Sequence, residues 1–344
     1  MPSIIQQIAD ELNVSSASVS RALNDRPGVS EALRARILQR AYELNYTSNV
    51  IARGLATSQT FNLGFFVREK PGLSAYNDPF YGEILHGVEQ ISAQTDYHVS
   101  IGTLTDEILS APQQFRFVRE GRIDGMILAG PDIPSDFILA MRQTGIPVVL
   151  VDNCLAHSRI DCINSDDENG AYLAARHLLE QGHHRVGIIS GPKSWPSNAR
   201  RIRGYHRALE NGSPAPIVHM DCTTIDSGMA AYHQLLEQHP DLTAICAVND
   251  SMAIGAIREA IRNGRCAPDD IAVVGFDDIA WAQINDPPLT TIRISRKQMG
   301  HEAARRLLSL LSDPDAAPVE VTIGVELIVR ASSGIKKQDE SKQL

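Results

Sequence analysis

The stretch IADELNVSSASVSRALN, residues 8–24, decides how the first part of the chain folds. Apolar residues fall at Ile4, Ile8, Ala9 and Leu12, and resume at Val19, Ala22 and Leu23 after Asn13-Val14-Ser15 interrupts them. That spacing predicts two short helices joined by a tight turn. Ser15 or Ser16 suits the cap of the second helix, because a hydroxyl oxygen can take up an N–H that a helix start leaves unpaired. Asp25-Arg26-Pro27-Gly28 reads as a turn. Ser30 with Leu33, Ile37, Ala41 and Leu44 then describes a third amphipathic helix, so residues 1–46 make a small all-α helix-turn-helix head.

The second helix turns Ser16, Ala17, Ser20 and Arg21 away from Val19 and Leu23. Small side chains allow close approach to a major groove, and Arg21 offers the two-pronged donor that pairs best with guanine. Charge is unevenly spread. Through residue 58 there are six arginines, no lysine and five carboxylates, a net of +1, against −9 for the whole chain, so the remainder carries −10. An acidic body repels phosphate, which confines any nucleic-acid contact to the head and its neighbourhood.

Beyond the polar segment 47–60 the texture changes. NLGFFV, HVSIGTL, GMILAG, PVVLVDN, RVGIISG, TAICAVND and IAVVGFDD are short apolar runs, separated by helical patterns such as YGEILHGVEQIS and NGAYLAARHLLEQG. Alternating strands and helices predict an α/β body with parallel sheets covered on both faces. There are too many units for one mononucleotide-type sheet, which favours two parallel-sheet subdomains with a cleft where the polar strand ends converge. The tail from residue 332, ending IKKQDESKQL, is charged and aperiodic and reads as disordered.

Several chemistries find no footing. GIISGPKSW looks like a phosphate loop but has Pro192, which lacks an N–H, where the loop needs glycine. His301-Glu302 is followed by Arg305 where a zinc protease has its second histidine, and no G-x-S-x-G elbow occurs. His183-His184 reads as a solvated turn. Cys154, Cys162, Cys222, Cys246 and Cys266 contain no C-x-x-C, so neither a disulfide framework, a metal site nor a cofactor is expected. The start MPSIIQQIADEL lacks an export signal and no apolar run is long enough to span a bilayer, so a cytoplasmic protein without a membrane partner is expected. The strand ends instead offer Phe80-Tyr81, Asp152-Asn153, Trp195, Arg201, Asn249-Asp250 and Phe276-Asp277. Aromatic faces cover C–H surfaces while carboxylates, amides and a guanidinium bond hydroxyls, a mixture suited to a polyhydroxylated ligand.

These residues carry a resemblance to the LacI/GalR family of bacterial transcription regulators, over about residues 3 to 331. It rests on IADELNVSSASVSRALN and VSEALRARILQRAYELNY in the head, NVIARGLAT after it, and NDPFYGEILHGVE, GRIDGMILAG, RIRGYHRAL, AICAVNDSMAIGAI, IAVVGFDDI and PPLTTIR in the body. The resemblance implies a homodimer or tetramer on a near-palindromic operator, and a type I periplasmic binding protein fold for residues 61–331. It divides that body into subdomain one, 61–160 plus 293–316, and subdomain two, 161–292 plus 317–331. Residues 47–60 become a hinge helix and linker, in which Leu55 matches a leucine that wedges into the minor groove, beside Asn49, Ala52 and Arg53. Ser16, Ala17, Ser20 and Arg21 fall on the base-reading helix.

For the effector, the resemblance points to Phe80, Tyr81, Asp152, Trp195, Ser197, Arg201, Asn249 and Asp277, with Arg201 and Asp277 on opposite parts of one rim. Two segments depart from the family pattern: Gln6-Gln7 in the head, and NSDDENGAY around Ser165. The expected function is a repressor released by a mono- or disaccharide. Alternatives are a sugar-active enzyme using the same cleft, a corepressor-dependent regulator with a purine-like ligand, and a periplasmic sugar receptor, which would carry an export signal and no head.

Overall fold

The computed structural model describes residues 4–23, 26–44, 59–70, 77–155, 158–209 and 215–334. The chain forms two compact units, Met1–Phe61 and Asn62–Leu344. In the first, α1 (Ile4–Leu12), α2 (Ser16–Leu23) and α3 (Glu31–Glu43) close on Ile8, Ala9, Val19, Ala22, Ile37 and Ala41. Ile4, expected in this core, is exposed, and Ile5 packs on the cluster in its place. Asn13 ends α1 in the left-handed region, φ 54°, which asparagine tolerates better than most residues. Ser15 rather than Ser16 caps α2, its Oγ accepting from the Ser18 N–H at 3.1 Å. Arg34 of α3 donates to the Ala22 carbonyl at the end of α2 (3.2 Å), and Arg40 forks onto Glu11 of α1 at 2.5 and 3.0 Å.

The second unit opens with β1 (Asn62–Arg68), followed by α4 (Tyr81–Ser92), β2 (His98–Leu104), the short helices α5 (Asp106–Ser110) and α6 (Arg116–Arg119), β3 (Gly125–Ala129), α7 (Ser135–Gln143), β4 (Val148–Val151) and β5 (Asp161–Ser165). These strands pair in parallel in the order β5-β4-β3-β1-β2. Alternation along β1 shows why both faces are covered. Leu63, Phe65 and Val67 point to the side of α4, while Phe66 points to the other side and meets Phe115 edge-on at 5.0 Å.

Next come α8 (Asp167–Glu180), β6 (Val186–Ser190), α9 (Pro196–Leu209), β7 (Ile217–His219), α10 (Ile225–Gln238), β8 (Ala244–Ala247), α11 (Asp250–Arg262), β9 (Ala272–Val274) and α12 (Ala280–Ile284). Their sheet runs β7-β6-β8-β9, again parallel. The chain ends through β10 (Thr291–Ile294), α13 (Arg296–Ser312), β11 (Glu320–Ile323) and β12 (Val325–Ile328). The antiparallel β10-β12 ribbon adjoins β9 through bridges at Val274–Thr290 and Asp277–Arg293.

Strand pairing moves the expected subdomain boundaries. β5 continues the register of β4, and β11 pairs with β5, so both belong to the first sheet rather than to subdomain two. The crossings fall at Asp166, Ser295 and Gly324, where Asp166 N–H donates to the Ile323 carbonyl at 2.9 Å. DCINS and EVTI escape a search for apolar runs because DCINS holds only two adjacent apolar residues, Cys162 and Ile163, and EVTI alternates polar with apolar. The expected tail from 332 also changes. Ser332 and Ser333 are buried, Ser332 Oγ donating to the Val273 carbonyl (2.7 Å) and Ser333 Oγ to Thr290 Oγ1 (2.6 Å). Residues 335–344 lie outside the described residues.

α13 packs on α4 and on β3–β5, anchoring the return of the chain to the first sheet. The helices touch backbone to backbone: a Cβ at Gly300 would overlap the Ile84 carbonyl oxygen, and one at Gly87 the Lys297 carbonyl oxygen. Backbone cannot yield as a flexible side chain does. Gly300→Ala is therefore expected to lower stability by about 3 kcal/mol, the upper range of overpacking costs. Urea unfolding should show a lower midpoint with an unchanged slope.

Candidate functional site

In the head, Ala17 and Arg21 are exposed, and Ser16 and Ser20 are half-buried beside them on the face opposite Val19. This is the face expected from the sequence. Asn49, Ala52, Arg53 and Leu55 lie outside the described residues. Two of the five arginines of residues 1–46 are occupied internally, Arg34 on the α2 carbonyl and Arg40 on Glu11, so the exposed positive charge is smaller than the sequence count suggests.

In the body, Phe80, Tyr81, Asp152, Trp195, Ser197, Arg201, Asn249 and Asp277 line one cleft. Its first wall comes from the carboxyl ends of β1, β3 and β4 and the start of α4, its second from the carboxyl ends of β6, β8 and β9 and the start of α9. Ligands of open α/β sheets gather at such ends, where helix starts and free loop groups converge. The inner chamber measures about 70 Å³ and shares Lys70, Phe80, Asp132, Trp195, Thr223, Asn249 and Asp277 with an outer one of about 690 Å³. Trp195 and Trp281, the two tryptophans of the chain, both face the outer chamber.

Arg201 and Asp277 are not on opposite parts of the rim. Arg201 Nη1 donates to Asp277 Oδ1 at 3.3 Å and to the Val248 carbonyl at 2.5 Å, Nε donates to Asp167 Oδ1 at 2.9 Å, and the guanidinium lies 3.9 Å over the Phe276 ring. The two residues meet because α9 runs across the ends of β8 and β9. Asn249 is also engaged: Oδ1 caps α11 by accepting from Met252 N–H (2.9 Å), and Nδ2 donates to the Thr223 carbonyl (3.1 Å). Ser165, in the divergent loop, donates to Asp167 at 3.0 Å and so supports Arg201 indirectly. His183 is buried against Thr243 rather than solvated.

Carboxylates dominate the inner wall. Burial pushes Asp152 up to about 7, against the pull of Arg201, and Asp277 up to about 6, against Arg201 and Arg296. Burial raises Asp132 as well. The cations nearby already have partners, Arg201 as described and Lys70 with Asp78 at 2.9 Å. Among the described residues, the Asp152 carboxylate accepts one bond, from Tyr81 Oη at 3.3 Å. It has room for ligand O–H donors. Asp152 and Asp277 both hold positive φ, 54° and 113°, and the second is strained for a residue with a Cβ.

Sequence reading missed Lys70, Asp132, Asn198 and Thr223 in this cleft. Asp132 was findable, since it follows the GMILAG strand. A Cβ at Gly130 would press on Asp132 Oδ1 and Tyr81 Oη, which explains the glycine there. Thr223 carries no local signal. Among the described residues, no group of histidine, cysteine and carboxylate side chains could hold a metal ion, and no helix is long and apolar enough to cross a membrane.

Comparison with known proteins covers both units. The description "periplasmic binding proteins and sugar binding domain of LacI family" matches residues 60–331, and "bacterial regulatory proteins, lacI family" matches residues 4–49. The probable HTH-type transcriptional repressor ExuR of Bacillus subtilis (strain 168) is 33% identical over 333 residues, covering 95% of this chain and 97% of the relative. The HTH-type transcriptional repressor CytR of Escherichia coli (strain K12) is 32% identical, covering 96% of each. Among solved structures, the lac repressor dimer bound to operator and the anti-inducer ONPF superposes with a TM-score of 0.78 at 26% identity, over 97% of this chain and 100% of that one. A CelR–cellobiose complex superposes with a TM-score of 0.71 at 28% identity, over 96% and 100%.

The raised Asp152 carboxyl makes stability depend on pH. Between its ordinary 3.8 and about 7 the folded chain keeps a proton that the unfolded chain has released. Stability from this group is therefore full at low pH and falls as pH rises through 7, by on the order of 4 kcal/mol. Asp152→Asn removes that loss, and asparagine tolerates the same backbone. Urea unfolding of the ligand-free protein should show wild type weakening from pH 5 to pH 8 distinctly more than the variant.

Proposed function

The chain belongs to the LacI family of bacterial regulatory proteins, and on that premise we propose that it holds a near-palindromic operator as a homodimer and releases it when a mono- or disaccharide enters the cleft. It is a DNA-binding transcriptional repressor with a sugar- or ligand-binding domain, like its curated relatives, and not an enzyme. In this reading Ser16, Ala17, Ser20 and Arg21 read bases, and residues 47–60, with Asn49, Ala52, Arg53 and Leu55, form the hinge that enters the minor groove. Few side-chain charges are needed, because helix starts and backbone amides also hold phosphate.

The observation that carries the sugar assignment is the Asp152 carboxylate, buried, short of donors and faced across the cleft by Trp195. A neutral polyol supplies O–H donors to Asp152, Asp132 and Asp277 and lays C–H faces on Trp195 and Phe80. An anionic ligand would add charge to a wall of carboxylates whose cations are already paired. The inner chamber alone falls below the roughly 300–1,000 Å³ of typical ligand sites, so the ligand extends into the outer chamber between the tryptophans. Release requires that the sugar favour a cleft arrangement in which the operator binds less well.

The test is titration of a sugar and nucleoside panel into the full-length protein on an operator selected from random duplexes, followed by fluorescence anisotropy. A neutral sugar that releases DNA and shifts tryptophan emission supports the reading, with most of the emission change lost in Trp195→Phe. Response to purines alone would move the effector class, and turnover of a sugar would overturn the repressor reading. Arg21→Ala should cost about 1–3 kcal/mol in operator affinity and relax one base position per half-site. Arg201→Ala should lower stability by about 3–5 kcal/mol, because it leaves Asp167 and Asp277 buried without their shared cation. Its urea midpoint should fall below that of wild type at pH 7.

A further inference from the structure

Arg200 lines neither chamber of the cleft, yet its guanidinium joins the two walls. It belongs to α9, on the second wall, and its Nε donates to Asp167 Oδ2 at 2.9 Å. The other two nitrogens reach the first sheet: Nη1 donates to Cys154 Sγ, just beyond β4, and Nη2 to Asn164 Oδ1, near the end of β5, each at 3.3 Å. Asp167 takes Arg201 on its other oxygen, so one buried carboxylate orients both arginines. Asn164 and Asp167 flank the crossing at Asp166, but Cys154 stands in a separate loop after β4. The link from Asp167 to Cys154 is therefore made by the guanidinium and not by the local run of the chain.

A planar fork with donors in fixed directions holds three acceptors at once, which the point-like ammonium of a lysine does not reproduce. The bonds to Cys154 and Asn164 exist only while α9 lies against the carboxyl ends of the first sheet, and separating the walls breaks them. Both are long, and one goes to sulfur, a weak acceptor. An arginine only donates, so Asn164 must turn its carbonyl to Arg200, and its Nδ2 is left buried and, among the described residues, without a partner. That orphaned donor costs on the order of 1–3 kcal/mol. The contact therefore shifts the balance between arrangements of the cleft without fixing it.

We infer that Arg200 is a positioning residue that clasps the two walls together, and so raises the affinity of the cleft for a ligand that bridges them without touching that ligand. The inference rests on the proposal that a sugar reaches Asp152 on one wall and Asp277 on the other. A contact made in one arrangement alone favours that arrangement, and apparent affinity scales with the fraction of protein in the competent one.

Two variants test the clasp from its two sides. Arg200→Lys keeps a cation beside Asp167 and loses the fork, whereas Cys154→Ala combined with Asn164→Leu removes the acceptors on the first sheet and leaves Arg200 on Asp167. The first readout needs no sugar: acrylamide quenching of Trp195, which faces the cleft, in full-length protein carrying Trp281→Phe. Steeper quenching is expected in both variants, with no further increase when all three substitutions are combined. The second readout is titration of D-ribose, D-glucose, lactose and cellobiose into each protein, with Trp281 intact, on the selected operator. A sugar that releases wild type is expected to require about tenfold more in either variant, the ordinary value of one lost hydrogen bond, with the same final release and a sugar-free operator affinity no lower than wild type. Unchanged quenching in Arg200→Lys overturns the inference. So do effects that add in the combined variant, an unchanged sugar requirement, or a fall in sugar-free operator affinity. If none of the four sugars releases wild type, the sugar-release reading fails, and quenching still decides the clasp.

Discussion

One guanidinium, that of Arg201, holds together the second wall of the cleft. It is almost fully buried, which for an ion costs several kcal/mol in lost hydration. Asp167 and Asp277, the Val248 carbonyl and the face of Phe276 offset that cost together, since each supplies negative charge or electron density at hydrogen-bonding or stacking distance. A buried ion network of this kind adds less to net stability than an apolar core of the same volume. Its consequence is geometric: α8, α9 and the ends of β8 and β9 are held in one arrangement. Asp277 can then keep a backbone conformation that few residues other than glycine adopt.

The same aspartate is bonded to the segment in which the chain returns to the first sheet. Arg296, first residue of α13, donates to the carbonyl oxygens of both Asp277 and Asp278, and the Asp278 carboxylate is gripped by Arg293 (2.7 Å) and Arg330 (2.6 Å). α13 packs on the first sheet, so the Arg296 bonds tie a ligand-facing residue of the second wall to an element of the first. In the proposed mechanism a sugar bridges Asp152 and Tyr81 on one wall with Arg201 and Asp277 on the other. Any difference in its affinity for open and closed arrangements becomes a shift between them, and operator and sugar then alter each other's affinity by the same factor.

Charge follows the same division of labour. The body carries the negative excess and the head little net charge, part of it spent on internal contacts. In the proposed function, so little net charge keeps non-specific attraction to phosphate small.

Much of this was legible in the linear chain. Period-3.6 spacing marked all three head helices, and apolar runs marked β1, β3, β4, β6, β8 and β9, which are buried along nearly all their length, and the half-buried edge strand β2. β5 and β11 escaped, since DCINS has only two apolar residues and EVTI is only four residues long, and it is the pairing with neighbouring strands that defines them. The eight residues picked out for the cleft do converge, as positions at strand ends must when parallel strands share a direction. What those residues do to one another was decided only by packing. Arg201 meets Asp277 because α9 crosses the ends of β8 and β9, Asn249 spends its amide on a helix cap, and Asp152 titrates near neutrality because the fold removes its water. Such distances and degrees of burial depend on elements far apart in the chain, and no local pattern of residues contains them.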